Sequence, residues 1–344
     1  MKVSIIGATG YAGAELLRLL NNHPEAQVVH ITPESHTGEP ISTIYPHLRG
    51  IYDQILMSMK NIVEIGADSD FLFIGLPNGH AMHIGKALEK LPTRIIDLGA
   101  DYRFTDTSVY EEWYKIEHTH KEAARVYGLA ELNREKIRDA KIIGNAGCYT
   151  TASILALAPL AKNKLIDVNT IVVDAKSGVS GAGRSAKQPN HFPEMYDNFK
   201  AYNVGGHRHT PEIEQAVTAL SGETCRLNFT PHLVPMSRGI LSTCYASLKP
   251  GGTPEMVDQA YTAMYEKEFF IRLLGRGGYP ATKEVRGSNF CDLGWHIDVR
   301  TGRVIVLSAI DNLVKGAAGQ AIQNFNIACG FDEKMGLQSV PVYP

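Results

Sequence analysis

The sequence predicts an α/β protein of two domains, the first built on a doubly wound parallel sheet and the second on a mainly antiparallel sheet. Three observations predict this fold. A glycine-rich turn at residues 7–13 stands between an apolar strand-like segment and a run with helical spacing. Strand-like segments then alternate with helical patterns to about residue 150. Beyond that point, strand-like segments follow one another with only occasional helices between them.

Length, charge and cysteine content limit the classes of function. The 344 residues suffice for two ordinary domains. The 34 Lys and Arg residues nearly balance the 36 Asp and Glu residues, which leaves no basic surplus for nucleic acid or an anionic membrane. The five cysteines are scattered without a CxxC pair, so neither a disulfide framework nor a zinc site is indicated. Without a signal-like or membrane-spanning apolar segment, we expect a cytoplasmic protein that acts on a small molecule.

The first strand, Val3–Ile6, leads through the segment GATGYAG into a helix. This order is that of a dinucleotide-phosphate loop, in which glycines let the backbone approach a pyrophosphate at a helix N-terminus. A glycine-rich turn in another kind of α/β unit is the alternative. We interpret the segment as the cofactor loop of a Rossmann-type domain, with these contact residues: Gly7, Thr9, Gly10, Tyr11 and Gly13.

The second strand, Gln27–Ile31, ends where a dinucleotide-binding fold distinguishes the ribose 2′ position. Glu34 would accept a hydrogen bond from a 2′-hydroxyl group and so favours NAD. Ser35, with the two residues after it, offers donors to the 2′-phosphate of NADP, and we include it among the cofactor contacts. The turn contains no arginine that would decide between the two cofactors.

Two further strands, Phe71–Leu76 and Arg94–Leu98, continue the alternation. Ligands of such sheets lie at the carboxyl ends of the strands, so Arg103 in the loop after the second of these is a candidate anion contact. The alternative is an exposed arginine that pairs with a local carboxylate. Residues 105–139 are predicted to form helices that cover the edge of the sheet.

Cys148 falls at a turn between a short apolar strand and a helix, within the segment GNAGCYTT. Free N–H groups and the helix dipole favour an anion there, so a thiol ionises more readily than it does elsewhere. The same N–H groups could hold an oxyanion formed when the sulfur attacks a carbonyl group. We therefore predict that Cys148 is a nucleophile. A small buried cysteine at a tight turn is the alternative.

Two segments of the second half carry polar side chains suited to a site. The loop at 177–185 is rich in glycine and serine and is predicted to be mobile and close to a ligand, although an ordinary surface loop has the same composition. His207 and His209 precede Thr210, a good N-cap, and Pro211, a good first helical residue. A histidine at a helix N-terminus tends to stay neutral, so either histidine could accept a proton from a thiol.

The alternatives for this segment are two surface histidines on a capped turn, or a zinc site with Cys148. The zinc site lacks a further cysteine or histidine at a supporting short spacing. Asp311 starts a pattern that predicts a long C-terminal helix over 312–344. We accordingly expect a first domain of residues 1–147, completed by this helix, and a second domain of residues 148–311.

Taken together, the motifs of the chain closely resemble those of the N-acetyl-gamma-glutamyl-phosphate reductases, arginine-pathway relatives of aspartate-semialdehyde dehydrogenase. The resemblance covers nearly the whole chain, through the segments GATGYAGAELLRLL, YPHLRG, IIDLGADYRF, VYGLAELNRE, GNAGCYTT, KSGVSGAGR, AYNVGGHRHTPEIEQ, GSNFCDLGW and SAIDNLVKGAAGQA. It implies reversible, NADP-dependent reductive dephosphorylation of an N-acetylglutamyl 5-phosphate, with NAD not excluded. It also implies a second domain for catalysis and dimerisation, and a homo-oligomer, either a dimer or a tetramer.

The resemblance also implies roles for individual residues. Cys148 matches the nucleophile that forms a thioester, and the HxH segment matches the acid–base region, with His209 our first choice for the proton shuttle and His207 the second. The implied cofactor contacts of the second half are Ser177, Gly178, Gly181 and Asn312. The implied substrate contacts are Arg103, Arg184, Arg208, Tyr202 and Glu212, of which the arginines can bind a carboxylate or phosphate bidentately. No metal is implied.

Two other functions are compatible with these features. The substrate could be a related acyl phosphate, such as aspartyl phosphate or a carrier-linked aminoadipyl phosphate. The chain could instead be a nucleotide-sensing protein that kept the glycine-rich loop without any chemistry. Cys148 and the HxH segment argue against the second alternative.

Overall fold

The computed structural model describes residues 1–33 and 36–343 and divides the chain into two compact units. The first unit comprises Met1–Gly147 and Ala317–Gln338. The second comprises Cys148–Gly316 and the described residues from Ser339 onward. Residues 312–316 and the described residues from Ser339 onward, which we expected in the first domain, therefore belong to the second unit. In the part of the chain that is described, every helix is too short or too polar to cross a membrane.

The first unit is built on a six-stranded sheet whose neighbouring strands are all parallel. Its strands are β1 (Lys2–Ile6), β2 (Gln27–Thr32), β3 (Phe71–Ile74), β4 (Arg94–Asp97), β5 (Val126–Gly128) and β6 (Ile142–Asn145). Their order is β2-β1-β3-β4-β6-β5, so the doubly wound parallel sheet of the prediction is confirmed. The order reverses between β1 and β3, and ligands of such sheets bind beyond the carboxyl ends of the strands at this point.

The sequence pattern failed to predict β5, which lies in the segment expected to be helical. This strand has three residues and pairs in parallel with β6 at the edge of the sheet. Three residues are too few for a period of two to be recognised, so its pairing with β6 defines it. The segments on either side are helical as predicted, at Thr107–Tyr114 and Ala130–Asp139.

Helices lie in both units. In chain order they are α1 (Tyr11–Leu20), α2 (Ile41–Ile44), α3 (Ile62–Ala67), α4 (Ala81–Ala87), α5 (Thr107–Tyr114), α6 (Ala130–Asp139), α7 (Cys148–Lys162), α8 (Phe192–Met195), α9 (Thr210–Ser221), α10 (Pro254–Tyr265) and α11 (Gly319–Cys329). Short 3₁₀ turns lie at Pro46–Leu48, Met59–Asn61, Val179–Ala182, Gln188–Asn190 and Thr282–Glu284.

The second unit is built on a seven-stranded sheet. Its strands are β7 (Ile166–Gly178), β8 (Lys200–Ala201), β9 (Asn228–Val234), β10 (Ile240–Leu248), β11 (Ile271–Arg276), β12 (Cys291–Asp298) and β13 (Arg303–Ile310), in the order β11-β12-β13-β10-β7-β9-β8. The pairs β11/β12 and β7/β9 are parallel, and the other neighbouring pairs are antiparallel. The mainly antiparallel sheet of the prediction is therefore confirmed.

Helix α7 is the central helix of the second unit, because nearly all of its side chains are buried. Pro159 lies inside it and has no N–H group to donate to the carbonyl oxygen of Leu155, four residues earlier. The hydroxyl group of Tyr265, on α10, donates to that oxygen at 2.8 Å. The neighbouring helix thus satisfies an acceptor that the proline leaves open, and α7 continues to Lys162.

The predicted helix over 312–344 is shorter in the structure. A π-helical turn at Val314–Ala318 leads into α11, which ends at Cys329. Gly330 follows with a φ angle of +73°, the left-handed conformation that commonly terminates a helix. The described residues after Gly330 form turns and irregular chain.

Candidate active site

Cys148 is distinguished from the other cysteines by its position at the start of a helix. It is the first residue of α7 and is half-buried. Burial raises the pKa of Cys225 and of Cys244 to about 12, and that of Cys329 to about 11, so these three thiols stay protonated near neutral pH. Cys291 is also buried. Cys148 is therefore the candidate nucleophile, because a thiolate is the reactive form and the start of a helix favours one.

Tyr149 brings the two histidines of the HxH segment to the start of α7. Its ring centroid lies 5.8 Å from that of His207 and 6.0 Å from that of His209. The two imidazole rings are 4.8 Å apart. Phe229 completes the cluster, at 5.4 Å from Tyr149 and 5.1 Å from His207. The residue next to Cys148 is thus in ring contact with both candidate proton shuttles.

His207 is held as a neutral ring. Burial lowers its pKa to about 3, and the neighbouring His209 and Arg208 act in the same direction. Its Nδ1 atom accepts a hydrogen bond of 3.1 Å from the backbone N–H of His209, so the proton of the neutral ring lies on Nε2. This contact makes His207 a support for the backbone at position 209.

His209 occupies the N-cap position of α9, and its carbonyl oxygen accepts from the N–H of Ile213 at 3.1 Å. The prediction that Thr210 is the N-cap is wrong. Thr210 is the first helical residue, and its buried Oγ1 atom makes no hydrogen bond with the described residues. The difference of one residue places the imidazole of His209 itself at the positive end of α9.

A chain of hydroxyl groups connects Tyr202 with the start of α7. The Tyr202 hydroxyl donates to the Tyr149 hydroxyl at 3.3 Å, which in turn donates to the carbonyl oxygen of His232 at 2.9 Å. Burial raises the pKa of Tyr202 to about 12, an effect that the hydrogen bond to Tyr149 opposes and the charge of Cys148 reinforces. Burial also raises the pKa of Tyr149 above its ordinary value. Both hydroxyl groups therefore remain protonated near the candidate nucleophile.

Glu212, which the resemblance implied as a substrate contact, is buried between two helices. Its side chain has no exposed surface, and its Oε1 atom accepts a hydrogen bond of 2.8 Å from the hydroxyl group of Thr150. Thr150 is also fully buried. The contact joins the first turn of α7 to the first turn of α9, so Glu212 holds together the helices that begin at the cysteine and at the histidines.

The loop after β7 is tied down at its start, in contrast to the mobile loop that the composition predicts. The backbone N–H groups of Gly178, Val179 and Ser180 donate to carbonyl oxygens of the chain between β9 and β10, at 2.9 to 3.2 Å. Ser177 is buried, and its hydroxyl group donates to the carbonyl oxygen of Gly178. Gly181 starts the more exposed part of the loop.

Asn312 fixes this arrangement with both ends of its side-chain amide. Its Nδ2 atom donates to the Ser180 hydroxyl at 2.9 Å, and its Oδ1 atom accepts from the N–H of Gly239 at 2.7 Å. Only 2% of its surface is exposed. Within the second unit Asn312 therefore acts as a link between the loop at 177–183 and the turn before β10.

The candidate arginines differ in exposure. Arg103, in the first unit, is 7% exposed and donates through Nε to the carbonyl oxygen of Asn145 and through Nη2 to that of Leu98. These two hydrogen bonds brace the chain at the carboxyl ends of β4 and β6. Arg184 and Arg208, in the second unit, have exposed side chains that an anionic ligand can reach.

The glycine-rich loop of the first unit fits a dinucleotide. Gly7 has a φ angle of +86°, and a Cβ atom there would lie 2.4 Å from the carbonyl oxygen of Gly75, so only glycine fits. A Cβ atom on Gly13 would lie 2.5 Å from the Cα atom of Ala8. Gly10 is the N-cap of α1, and among the described residues no side chain caps this helix. Its first N–H groups are therefore suited to a pyrophosphate.

The other predicted cofactor contacts of this loop lie beside these glycines. Thr9 is buried, and its carbonyl oxygen accepts from the Tyr45 hydroxyl at 2.9 Å. Tyr11, the first residue of α1, is partly exposed. The predicted contact Ser35 and the neighbouring Glu34 lie outside the described residues. Among the residues that are described, no three metal-ligating side chains form a group that could hold a metal ion.

Tyr149 is a residue of the candidate site that the sequence pattern did not indicate. The available signal was its position directly after the predicted nucleophile, in the segment GNAGCYTT. Its contacts with His207, His209 and Tyr202 bring together segments that are more than 50 residues apart in the sequence. Of the predicted second-unit residues, the structure gathers Tyr202, His207 and His209 around this ring.

Comparison with known proteins gives a consistent result over the whole chain. Residues 2–140 match the family model of the semialdehyde dehydrogenase NAD binding domain, and residues 148–312 match that of the semialdehyde dehydrogenase dimerisation domain. The chain is 52% identical, over 346 residues, to the N-acetyl-gamma-glutamyl-phosphate reductase of Pelotomaculum thermopropionicum, with 100% of this chain and 99% of the relative covered. The reductase of Desulforamulus reducens is 51% identical, with both chains fully covered.

Two solved structures with the same fold are much more distant in sequence from this chain. Aspartate semialdehyde dehydrogenase II of Vibrio cholerae superposes with a TM-score of 0.70 at 17% identity, and covers 96% of this chain and 98% of its own. The aspartate semialdehyde dehydrogenase of Candida albicans, solved with NADP, has a TM-score of 0.68 at 17% identity, with 95% and 97% covered. At this level of identity, the likeness concerns the fold.

Proposed function

Because the chain belongs to the N-acetyl-gamma-glutamyl-phosphate reductase family, we propose that it reduces N-acetyl-L-glutamyl 5-phosphate to N-acetyl-L-glutamate 5-semialdehyde with NADPH, in arginine biosynthesis. The chain is an oxidoreductase with a nicotinamide-binding domain. The reaction is reversible and releases phosphate. The preference for NADP over NAD rests on the resemblance of the motifs to those of the family.

The proposed chemistry rests on one observation, the contacts made at the start of α7. Cys148 starts α7, and the ring of the next residue, Tyr149, contacts both His207 and His209. A nucleophile, an anion-stabilising helix end and a base are the parts that acyl transfer requires. In this arrangement His209 is the proton shuttle, because it lies at the start of α9, whereas the Nδ1 atom of His207 is bound to the backbone.

The reaction proceeds through a thioester. His209 takes the proton of the Cys148 thiol, and the thiolate attacks the carbonyl carbon of the acyl phosphate. The bond from that carbon to the phosphate oxygen breaks, and phosphate leaves after taking a proton from solvent. NADPH, when bound, supplies a hydride to the thioester carbon. The C–S bond then breaks, the aldehyde leaves, and the thiolate recovers a proton from His209.

Other residues bind and orient the reactants. N–H groups in the first turn of α7 would hold the oxyanion formed at each attack. Arg184 and Arg208 are exposed guanidinium groups that can bind the carboxylate and phosphate of the substrate. The Tyr202 hydroxyl donates its proton to Tyr149, so its oxygen atom is a candidate acceptor of a hydrogen bond from the substrate. Gly7, Gly10 and Gly13 would let the backbone approach the cofactor pyrophosphate.

The partners that follow are a small-molecule substrate, phosphate and a second copy of the chain. The match to a dimerisation domain at 148–312 supports a homodimer, or a tetramer built from dimers. The described residues contain no helix able to span a membrane.

The test is an assay of the purified protein in the oxidative direction, with N-acetylglutamate semialdehyde, phosphate and either NADP or NAD. We expect phosphate-dependent formation of NADPH, slower reaction with NAD, and little reaction with aspartate semialdehyde. Cys148→Ser should abolish turnover, whereas Cys329→Ser, at the other half-buried cysteine, should retain it. Near-normal turnover of Cys148→Ser would remove the thioester mechanism. Faster turnover of aspartate semialdehyde would reassign the substrate.

A further inference from the structure

Gly316 lies against the candidate nucleophile. A Cβ atom built on Gly316 would stand 2.7 Å from the Cβ atom of Cys148 and 3.1 Å from its Cα atom. Real Cβ atoms do not approach other carbon atoms so closely, so the bare backbone at position 316 fills this space. The contact is made to the backbone and first side-chain carbon of Cys148, which have little freedom to move away because they belong to α7.

The segment that presents Gly316 has an uncommon backbone conformation. Residues Val314–Ala318 form a π-helical turn, and the N–H of Gly316 donates to the carbonyl oxygen of Asp311, five residues earlier, at 3.0 Å. Single π-turns are rare and occur frequently at functional sites. The wider turn displaces the backbone relative to an α-helix, and here it brings residue 316 to the cysteine.

Asp311 fixes the start of this turn. Its carboxylate has no exposed surface, and Oδ1 accepts from the N–H groups of Leu313 at 2.8 Å and Val314 at 3.1 Å. Oδ2 accepts from the N–H of Gly287 at 2.7 Å and lies 3.5 Å from the guanidinium of Arg238. A buried carboxylate with this many donors has a defined orientation, so it determines where the π-turn begins.

We propose that Asp311 and Gly316 are positioning residues for the reaction, in that the buried carboxylate sets the π-turn and the turn sets the position of Cys148 through the bare Cα of Gly316. This inference rests on the proposed role of Cys148 as the nucleophile. Neither residue touches the reacting atoms. Their effect is on where the sulfur stands relative to the carbonyl carbon and the N–H groups of α7.

Changes at Gly316 and at Asp311 should therefore both lower the rate of the reaction. A methyl group at position 316 must displace Cys148 or the π-turn, and misplacement of a reacting group by about 1 Å lowers a rate by roughly 100-fold. Asp311→Asn keeps an oxygen acceptor for the N–H groups of Leu313 and Val314 but turns one acceptor into a donor that faces Gly287. It should therefore loosen the turn without removing it, and Asp311→Ala should loosen it further.

The experiment compares the reactivity of the Cys148 thiol in these variants. Each protein is alkylated with iodoacetamide over a range of pH, and modification of Cys148 is followed by peptide mass spectrometry, with Cys329 as the internal reference. Steady-state kcat and KM are measured alongside, with thermal unfolding. Gly66→Ala is the matched control, because its Cβ atom would lie 2.7 Å from a side-chain carbon of Leu88 in the first unit.

We expect Gly316→Ala to lower kcat about 10- to 100-fold with little change in KM, and to change the rate and pH profile of Cys148 alkylation. Asp311→Asn should retain more activity than Asp311→Ala. Gly66→Ala should lower thermal stability and leave the pH profile of Cys148 alkylation unchanged.

The proposal would be overturned by a pH profile of Cys148 alkylation in Gly316→Ala that equals that of the wild type. If Gly316→Ala does not fold, the same result in Asp311→Ala would overturn it. Absence of reductase activity in the wild type would instead refute the proposed function, since alkylation is measured without substrate.

Discussion

The hydroxyl group of Thr150 donates a hydrogen bond of 2.8 Å to the carboxylate of Glu212, and neither side chain has exposed surface. Thr150 lies two residues after Cys148, and Glu212 lies three residues after His209. The pair therefore connects the first turns of the two helices that begin at the proposed nucleophile and at the proposed base. A hydrogen bond to a buried carboxylate is stronger than one between neutral groups, so this contact limits relative movement of the two helix ends.

A double-mutant cycle on this pair tests that conclusion. Thr150→Val removes the hydroxyl group with little change in shape, and Glu212→Gln keeps an acceptor oxygen but removes the charge. We expect each change to lower the free energy of unfolding by about 1–3 kcal/mol, with a coupling of about 0.5–3 kcal/mol between them. Urea denaturation of the two single variants and the double variant measures both quantities. Strict additivity would contradict a direct bond.

Replacement of His209 distinguishes the two histidines of the HxH segment. His209→Asn should lower kcat by about 10²- to 10⁴-fold with nearly unchanged KM, because it removes the proposed proton shuttle. His207→Asn is the comparison variant. It should have a smaller effect on kcat and lower the stability, since the His207 ring packs among Tyr149, Tyr202 and Phe229. A raised KM with normal turnover in His209→Asn would assign the residue to substrate binding.

Gly13→Ala tests the dinucleotide loop. The added Cβ atom would overlap the backbone of Ala8, so we expect a loss of about 1–3 kcal/mol in stability and much weaker binding of NADP. Isothermal titration calorimetry measures the affinity, and thermal unfolding measures the stability. Gly66→Ala serves again as the control, since it strains the same unit at α3 and should bind NADP normally. Full affinity in Gly13→Ala would argue against a cofactor at this loop.

Asp97 should make the stability of the first unit fall as the pH rises. Burial raises the pKa of this carboxyl group to about 7, Asp101 acts in the same direction, and Arg103 opposes them. An unfolded aspartate titrates near pH 3.9, so between about pH 4 and 7 the folded state binds a proton that the unfolded state has lost. The stabilising effect is complete below that range and disappears as the pH passes through 7.

The corresponding variant is Asp97→Asn, which stays uncharged at every pH. Its free energy of unfolding should decrease less than that of the wild type between about pH 4 and 7. Urea denaturation at several pH values measures the slope. Asp139→Asn, at an exposed carboxylate, should retain the slope of the wild type. Equal slopes in Asp97→Asn and the wild type would mean that the buried carboxyl group is ionised throughout.

Much of the fold was predictable because its signals are local. The buried strand at Phe71–Ile74 and the run of leucines in α1 follow from apolar spacing alone. The short strand at Val126–Gly128 was not predictable, because it exists only through its pairing with β6. The exact start of α9 was also not predictable. Thr210 is a favourable N-cap residue, but in the structure it is the first helical residue and the preceding histidine is the N-cap.

The candidate site likewise has some features that could be predicted from the sequence and others that could not. Cys148 at the start of a helix, the glycine-rich loop and the HxH segment were recognisable from neighbouring residues, since turn, cap and helix signals act over a few positions. The burial of Glu212 against Thr150, the amide contacts of Asn312 and the approach of Gly316 to Cys148 join positions that are far apart in the sequence. By itself the sequence determined the two-domain α/β class and the identity of the nucleophile and base candidates. Only the tertiary structure decided which buried polar groups meet, because a partner for a desolvated group is supplied by packing between distant segments and not by its neighbours in the chain.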